Sequence, residues 1–519
     1  VARGDWQTPA ALSEAVLDLI RARYAVMPRS VLEPTCGLGR FLMSAALRFP
    51  SAALVGRDLN PAYVASARAA LDAAEPARSD AAPRVDLAVA DFFGTDWATV
   101  LDGLEAPLLV LGNPPWVTNS TLGGLGANNV PTKHNRRGLA GLDARTGKSN
   151  FDISEWMLLR LLEALNGREF LLAMLCKLAV TRKVLEHVVG AGWPVQGEVF
   201  RVDAEAHFGA SVPAALLVLY PNRSAERSAI STVEWPVYAD LSGRELCGSL
   251  GMVGRTPCSD VVKFERTARW DGGGLRAWRS GLKHDLASVM ELRRQRGGLV
   301  NGLGEFVELE AETLFPLLKG SDLANGRGAG ERFLVVPQRV LGEDTTRLEQ
   351  VAPRTWAYLM RHAERFAARK SSIYSNQPPF SVFGVGTYAF ASHKVAISGL
   401  YKRLNFRVLG PYEGKPVLLD DTCYFLPCEG EAEALRICAA LNGPDARDYF
   451  EARLFWDAKR PVNKALLQGL RWDQLLADAA QSAQLAPVSA AEPSTMHEAS
   501  FSQPQPSPSG STDADEQTA

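Results

Sequence analysis

The stretch LLVLGNPPW (108–116) ends an apolar run in an amide, two prolines and an indole. Leu108 to Leu111 read as a buried strand. Asn113 then presents a side-chain amide, Pro114 and Pro115 stiffen the turn, and Trp116 offers a large flat face. A rigid polar hook beside an aromatic plate suits a planar, hydrogen-bonding ligand such as a nucleobase. The same residues also suit an ordinary strand-to-helix turn, where Asn and Pro are common. Other segments bear on the choice. VLEPTCGLGRFL (31–42) ends a strand at Glu33 and opens a helix through Gly37 and Gly39. Asp58 ends the next strand about 20 residues on, the usual spacing for an acid that binds ribose hydroxyls. Asp91 and Phe92 end the third strand, and Asn113 ends the fourth. Four successive strands that each deliver a polar or aromatic group to one sheet edge are hard to obtain from turn chemistry alone. A nicotinamide enzyme would share the ribose acid. Its GxGxxG loop, however, needs glycine where Leu42 stands, and dinucleotide binding has no use for NPPW.

The elements that must position these groups alternate between strand-like and helix-like, which predicts a doubly wound α/β sheet. Strands are expected at 30–34, 53–59, 86–92, 107–113, 169–176 and 214–220. Helices are expected at 61–74 and 151–166. Thr8-Pro9 reads as an N-cap with proline at the first helical position, and Leu12, Val16, Leu19 and Ile20 then share a face. Residues 117–149, rich in Gly, Asn, Arg and Lys, read as a long functional or mobile loop. Residues 222–312 give no clear pattern and read as a connecting region. A second domain is expected over 313–475, with one helix from Arg354 to Lys370 that places Trp356, Leu359, Ala363 and Phe366 on one side. The stretch 476–519 is poor in large apolar residues and is expected to be disordered.

The whole chain has 519 residues, 46% of them hydrophobic and 22% charged, ordinary values for a globular protein with sizeable cores. No apolar run is long enough to span a membrane, and the first residues lack a signal-peptide core, so a cytoplasmic protein is expected. Seven scattered cysteines form no CxxC pair, and seven histidines show no ligand spacing near them. Neither a disulfide framework nor a metal site is expected. A net charge of −2 means that any nucleic-acid surface must be local.

With these motifs in order, the chain resembles the DNA adenine-N6 methyltransferases in which the cofactor motif comes first and a target-recognition domain last. The matching segments are QTP (7–9), EPTCGLGRF (33–41), RDLNP (57–61), ADFF (90–93), NPPW (113–116) and SNFDISEW (149–156). They cover residues 1–221. The resemblance continues more loosely over 313–470, in LLKGSDL, RKSSIYSNQPPFSVFGVGTYAF and KVAISGLYK. It implies a class I S-adenosylmethionine-dependent, Rossmann-like domain over 1–221, followed by an α+β target-recognition domain. Thr8 and Glu33 are then expected near the methionine moiety of S-adenosylmethionine, with Gly37 and Gly39 letting the backbone pass close to it. Asp58 is expected on the ribose, and Asp91 on the cofactor adenine between walls formed by Phe92 and Phe151.

The resemblance also gives NPPW a chemical purpose. An adenine amine is a poor nucleophile because its lone pair is delocalised into the ring. Asn113 Oδ1 and the Pro114 carbonyl can each accept one of its N–H bonds, which localises the lone pair and stabilises the charge of the transition state. The two proline rings hold that carbonyl in place. Trp116 is expected to stack on an adenine extruded from the duplex, with Phe208 as a second aromatic. Phe208 reads equally well as core. Lys133, Arg136 and Arg137 in the long loop are candidate phosphate contacts beside the alternative of a solvated loop. In the second domain, Arg361, Arg365, Arg369 and Lys370, then Lys394, Lys402, Arg403 and Arg407, lie among aromatics and are expected on DNA. The implied setting is a restriction-modification or phage-defence system, with duplex DNA and a separately encoded restriction endonuclease as partners. An RNA or protein-glutamine methyltransferase, or a non-catalytic DNA specificity subunit, are the competing readings. A loose nuclease pattern, Pro444-Asp445 with Asp457-Ala458-Lys459, sits in a region that reads as helix.

Overall fold

The structure, a computed structural model, describes residues 6–73, 84–118, 152–222, 232–458 and 460–485. Its first half is built on one ten-stranded sheet. In chain order the strands are β1 (Ser30–Glu33), β2 (Ala53–Asp58), β3 (Val85–Val89), β4 (Leu108–Gly112), β5 (Phe170–Lys177), β6 (Val195–Val202), β7 (Ala214–Pro221), β8 (Thr232–Tyr238), β9 (Leu246–Val253) and β10 (Thr256–Cys258). Their spatial order is β10-β9-β8-β6-β7-β5-β4-β1-β2-β3. The run from β3 to β5 is parallel, and β7 lies antiparallel between β5 and β6. The order reverses between β1 and β4, where a parallel α/β sheet opens a crevice at its carboxyl edge. This is the expected Rossmann-like α/β arrangement.

The sheet has a core on each face because its strands alternate with period two. Val31, Leu54, Leu109 and Leu111 face one core, against α1 (Ala10–Tyr24), α2 (Arg40–Arg48) and α3 (Pro61–Ala73). Leu32, Val55, Leu108 and Val110 face the other, against α4 (Trp97–Asp102), α5 (Ile153–Leu165) and α6 (Leu178–Gly190). With both faces covered, the central strands read as continuous apolar runs.

Three expectations need correction. The segment beginning at 222 is not merely connecting, since β8, β9 and β10 extend the first sheet to its far edge. Pro236, Gly248 and Gly251 lie inside these strands and hide the strand signal. Their anchor is Trp235, fully buried over Gly197, where a Cβ would come within 2.7 Å of the indole. The single helix over 354–370 is two helices, Pro353–Arg361 and Ala363–Ala367, because buried His362 leaves helical backbone angles at φ −106, ψ 14. The stretch after 476 begins in the helix Trp472–Leu485 rather than in disorder; its continuation from 486 lies outside the described residues.

The rest of the chain, up to Cys428, contributes a six-stranded and a four-stranded sheet with helices packed around them. No helix among the described residues is long and apolar enough to cross a membrane.

Candidate functional site

The carboxyl ends of β1, β2 and β4 meet where the strand order reverses. Glu33, the last residue of β1, is 3% exposed, and among the described residues neither its Oε2 nor the buried Thr35 Oγ1 has a hydrogen-bond partner. Burial holds the Glu33 carboxyl well above the usual range, nearby Asp58 adds to the shift, and the Leu42 backbone N–H opposes it. Burying such groups unpaired is costly, and a polar ligand at this edge would satisfy both atoms.

The glycine loop is braced from two sides. The Gly37 N–H donates to Asp58 Oδ2 at 2.8 Å, and the Asn60 N–H donates to Asp58 Oδ1 at 2.8 Å. The Leu38 N–H donates to Gln7 Oε1 at 3.2 Å. Gly37 (φ +49) and Gly39 (φ +73) are both in the left-handed region. The space left by their missing Cβ atoms is taken by Gln7 and by Ala67 of α3, each within 2.8 Å of where a Cβ would stand. Loop packing therefore requires these glycines even before any ligand is considered. Gly39→Ala is expected to lower unfolding free energy by about 2 kcal/mol through backbone strain and the Ala67 contact, measurable by urea denaturation.

Thr8 is buried beside this loop but is not the helix cap. Pro9 is the N-cap of α1, and its carbonyl accepts from the Leu12 and Ser13 N–H groups. Asp91 is half-buried, and its Oδ1 accepts from the Phe93 N–H at 3.1 Å. The Phe92 ring packs 4.7 Å from Trp97 and belongs to the apolar core. Half-buried Phe93 lies edge-on to Trp156 at 5.1 Å.

The β4 end carries the most specific geometry. Asn113 Nδ2 donates to the Trp6 carbonyl at 2.9 Å, which sets the amide's orientation. Its Oδ1 is buried and has no hydrogen-bond partner among the described residues. Among the described residues no N–H donates to the Pro114 carbonyl. Trp116 is 5% exposed and meets Phe208 edge-to-face at 5.2 Å; Trp6 tilts against Phe208 at 6.4 Å. The two expected aromatics are thus together, but they pack on each other rather than forming parallel plates. Trp6 went unassigned in the sequence because its part is played mainly by a backbone carbonyl. Downstream, the Val117 carbonyl accepts from the Ile153 N–H at 2.8 Å, and Asp152 caps α5 while pairing with Lys177 Nζ at 2.8 Å. Phe151, Lys133, Arg136 and Arg137 lie outside the described residues.

Several second-domain cations are committed elsewhere. Arg369 Nη1 donates to the carbonyls of Ser381 (2.8 Å) and His284 (3.2 Å), and its guanidinium covers Tyr374 at 3.6 Å. These bonds make the group a clamp between loops. Lys394 is 1% exposed, donates to the Val417 carbonyl at 2.9 Å and is lowered to about 7 by burial, so it is not a phosphate contact. Arg407 Nη1 donates to the Arg327 carbonyl at 3.0 Å. Arg361, Arg365, Lys370, Lys402 and Arg403 are exposed. Of the nuclease-like pattern, Asp445 is exposed in the first turn of Pro444–Arg453, while Asp457 pairs with Arg182 at 3.5 Å. Lys459 lies outside the described residues.

No family model matches the sequence. Over 471 residues the chain is 38% identical to the type II methyltransferase M.NspV of Nostoc sp., covering 90% of this chain and 95% of the relative. Among solved structures, it is similar to the type I restriction-modification system methyltransferase subunit from Streptococcus thermophilus, at 18% identity and a TM-score of 0.31, over 44% of this chain and 46% of that one. TrmN from Thermus thermophilus is similar at 18% identity and a TM-score of 0.24, over 41% of this chain and 51% of that one.

Proposed function

The chain belongs to the type II methyltransferases, and from that premise we propose that it methylates the N6 amine of an adenine flipped out of duplex DNA, within a restriction-modification system. The observation that carries this reading is the Asn113 amide. Its nitrogen is tied to the Trp6 carbonyl, and its oxygen is buried without a partner. Such an oxygen is an acceptor prepared for an N–H donor that the described residues do not supply.

The proposed donor is the adenine amine, whose second N–H goes to the Pro114 carbonyl. Both acceptors strengthen their bonds as the nitrogen becomes positive, so the geometry favours the transition state over the ground state. Buried Trp116 and Phe208 form the apolar wall next to which the base inserts, offsetting part of its unstacking.

S-adenosylmethionine, when bound, supplies the electrophilic methyl group. The Glu33 edge fits that cofactor: an orphaned buried carboxylate suits the methionine ammonium, and Asp58 retains acceptor capacity for ribose hydroxyls beyond its two backbone bonds. Asp58→Ala is expected to weaken cofactor binding in calorimetry, by direct loss of the ribose contact and by release of Gly37. Unchanged affinity would remove Asp58 from the site. The sheets beyond residue 279 are assigned to target recognition.

Modified-base sequencing of plasmid DNA from cells expressing the chain tests the whole reading. N6-methyladenine at one sequence motif is expected. A folded, cofactor-binding protein that leaves no methyladenine would overturn it.

A further inference from the structure

The hairpin formed by Glu291–Gln295 and Gly298–Asn301 is flanked within the six-stranded sheet as far as Arg294, whose N–H donates to the Glu331 carbonyl, and Leu299, which sits opposite Val307. Leu292, Val300 and Asn301 at its base are buried, yet every residue from Arg293 to Gly298 is exposed. A strand covered on one face alternates in exposure. Here the alternation stops, and the tip from Gln295 to Gly298 projects past the paired parts of both flanking strands. Its sequence is Arg293-Arg294-Gln295-Arg296-Gly297-Gly298, three cations in four residues of a chain whose net charge is −2.

Of these three charges, only Arg294 is ion-paired among the described residues. Arg294 reaches Glu413 at 3.3 Å and lies over Phe333. Arg293 and Arg296 have no ion-pair or hydrogen-bond partner among the described residues. Arg293 also sits directly opposite Arg332 in the ladder, a like-charge pair that costs stability. Arg332 is compensated by Asp322 at 2.6 Å, whereas Arg293 is left uncompensated. At the tip, Gly297 and Gly298 take positive φ and lie over Phe306, which is 65% exposed.

We propose that this hairpin is a DNA-engaging element that enters the major groove, with Arg293 and Arg296 on backbone phosphates. The major groove admits a two-stranded ribbon, and the projecting tip carries Arg296 ahead of the flanking strands, with Arg293 exposed behind it. Sequence-independent phosphate contacts require unpaired cations of this kind. The inference rests on the DNA reading above.

The test uses the full chain, a fluorescently labelled mixed-sequence duplex and anisotropy at several salt concentrations. Each phosphate contact contributes about 0.9 to the slope of log affinity against log salt, so Arg293→Ala/Arg296→Ala should make the slope shallower by about 1.8. Affinity near physiological salt should fall at least about tenfold. Cofactor binding, which depends on the distant sheet edge, should be unchanged. The Arg293→Lys/Arg296→Lys variant should keep the wild-type slope because it keeps the charge. Wild-type slope and affinity in the alanine variant would overturn the hairpin's role while leaving DNA methylation standing. A wild-type chain that binds cofactor but no duplex would overturn the DNA reading itself, and the hairpin with it.

Discussion

Asn113→Ala is expected to lower methylation turnover about 100- to 1,000-fold, the usual cost of removing one preorganised group aimed at developing charge. Cofactor affinity should hardly move, because the Glu33 and Asp58 contacts lie on other strands. The variant removes the unpartnered Oδ1 and also the Nδ2 bond to Trp6. Asn113→Asp separates these two losses. It keeps an acceptor oxygen but sets a second oxygen against the Trp6 carbonyl, so the group should be misaimed and a smaller loss should follow. Single-turnover methylation of a plasmid substrate with saturating cofactor reads both variants. A rate unchanged in the alanine variant would sink the mechanism.

Glu33→Gln should have opposite effects on stability and on binding. In the folded chain without ligand, burial raises the Glu33 carboxyl well above its ordinary range. The folded state then holds this proton more tightly than the unfolded state. Its contribution to stability is full below the ordinary carboxyl range and is lost as pH rises through the raised folded value. Glutamine never ionises, so the variant should melt higher than wild type at neutral pH and lack that part of the pH dependence. It should also bind cofactor about 10- to 100-fold more weakly, since a hydrogen bond to a charged group contributes about 1.5–3 kcal/mol. Thermal denaturation across pH and isothermal calorimetry measure the two effects. A variant that melts like wild type and binds equally well would show that Glu33 is neither strained by burial nor used by the cofactor.

Much of the site could be read before the fold was known. Glu33, Asp58 and Asn113 each close an apolar strand, and burial of a parallel sheet on both faces leaves polar residues a place only at the strand ends. The motif spacings carried that information locally. What escaped notice was non-local. Trp6 orients Asn113 through a carbonyl 107 positions away, and backbone groups carry no side-chain signature. The strands of 232–258 hold proline and glycine, and only pairing with the sheet and the seat of Trp235 over Gly197 make them strands. Arg369 and Lys394 have the composition of DNA contacts. Their neighbours in space turned one into a clamp and buried the other, because a long cationic side chain takes its role from the carbonyls and rings within reach. The hairpin at Arg293–Gly298 shows the converse, an arginine cluster made conspicuous by the exposure of every residue at its tip. The sequence by itself determined the sheet edge and the types of group along it. Only the tertiary structure decided which of those groups, and which distant cations, were left with polar atoms unspent.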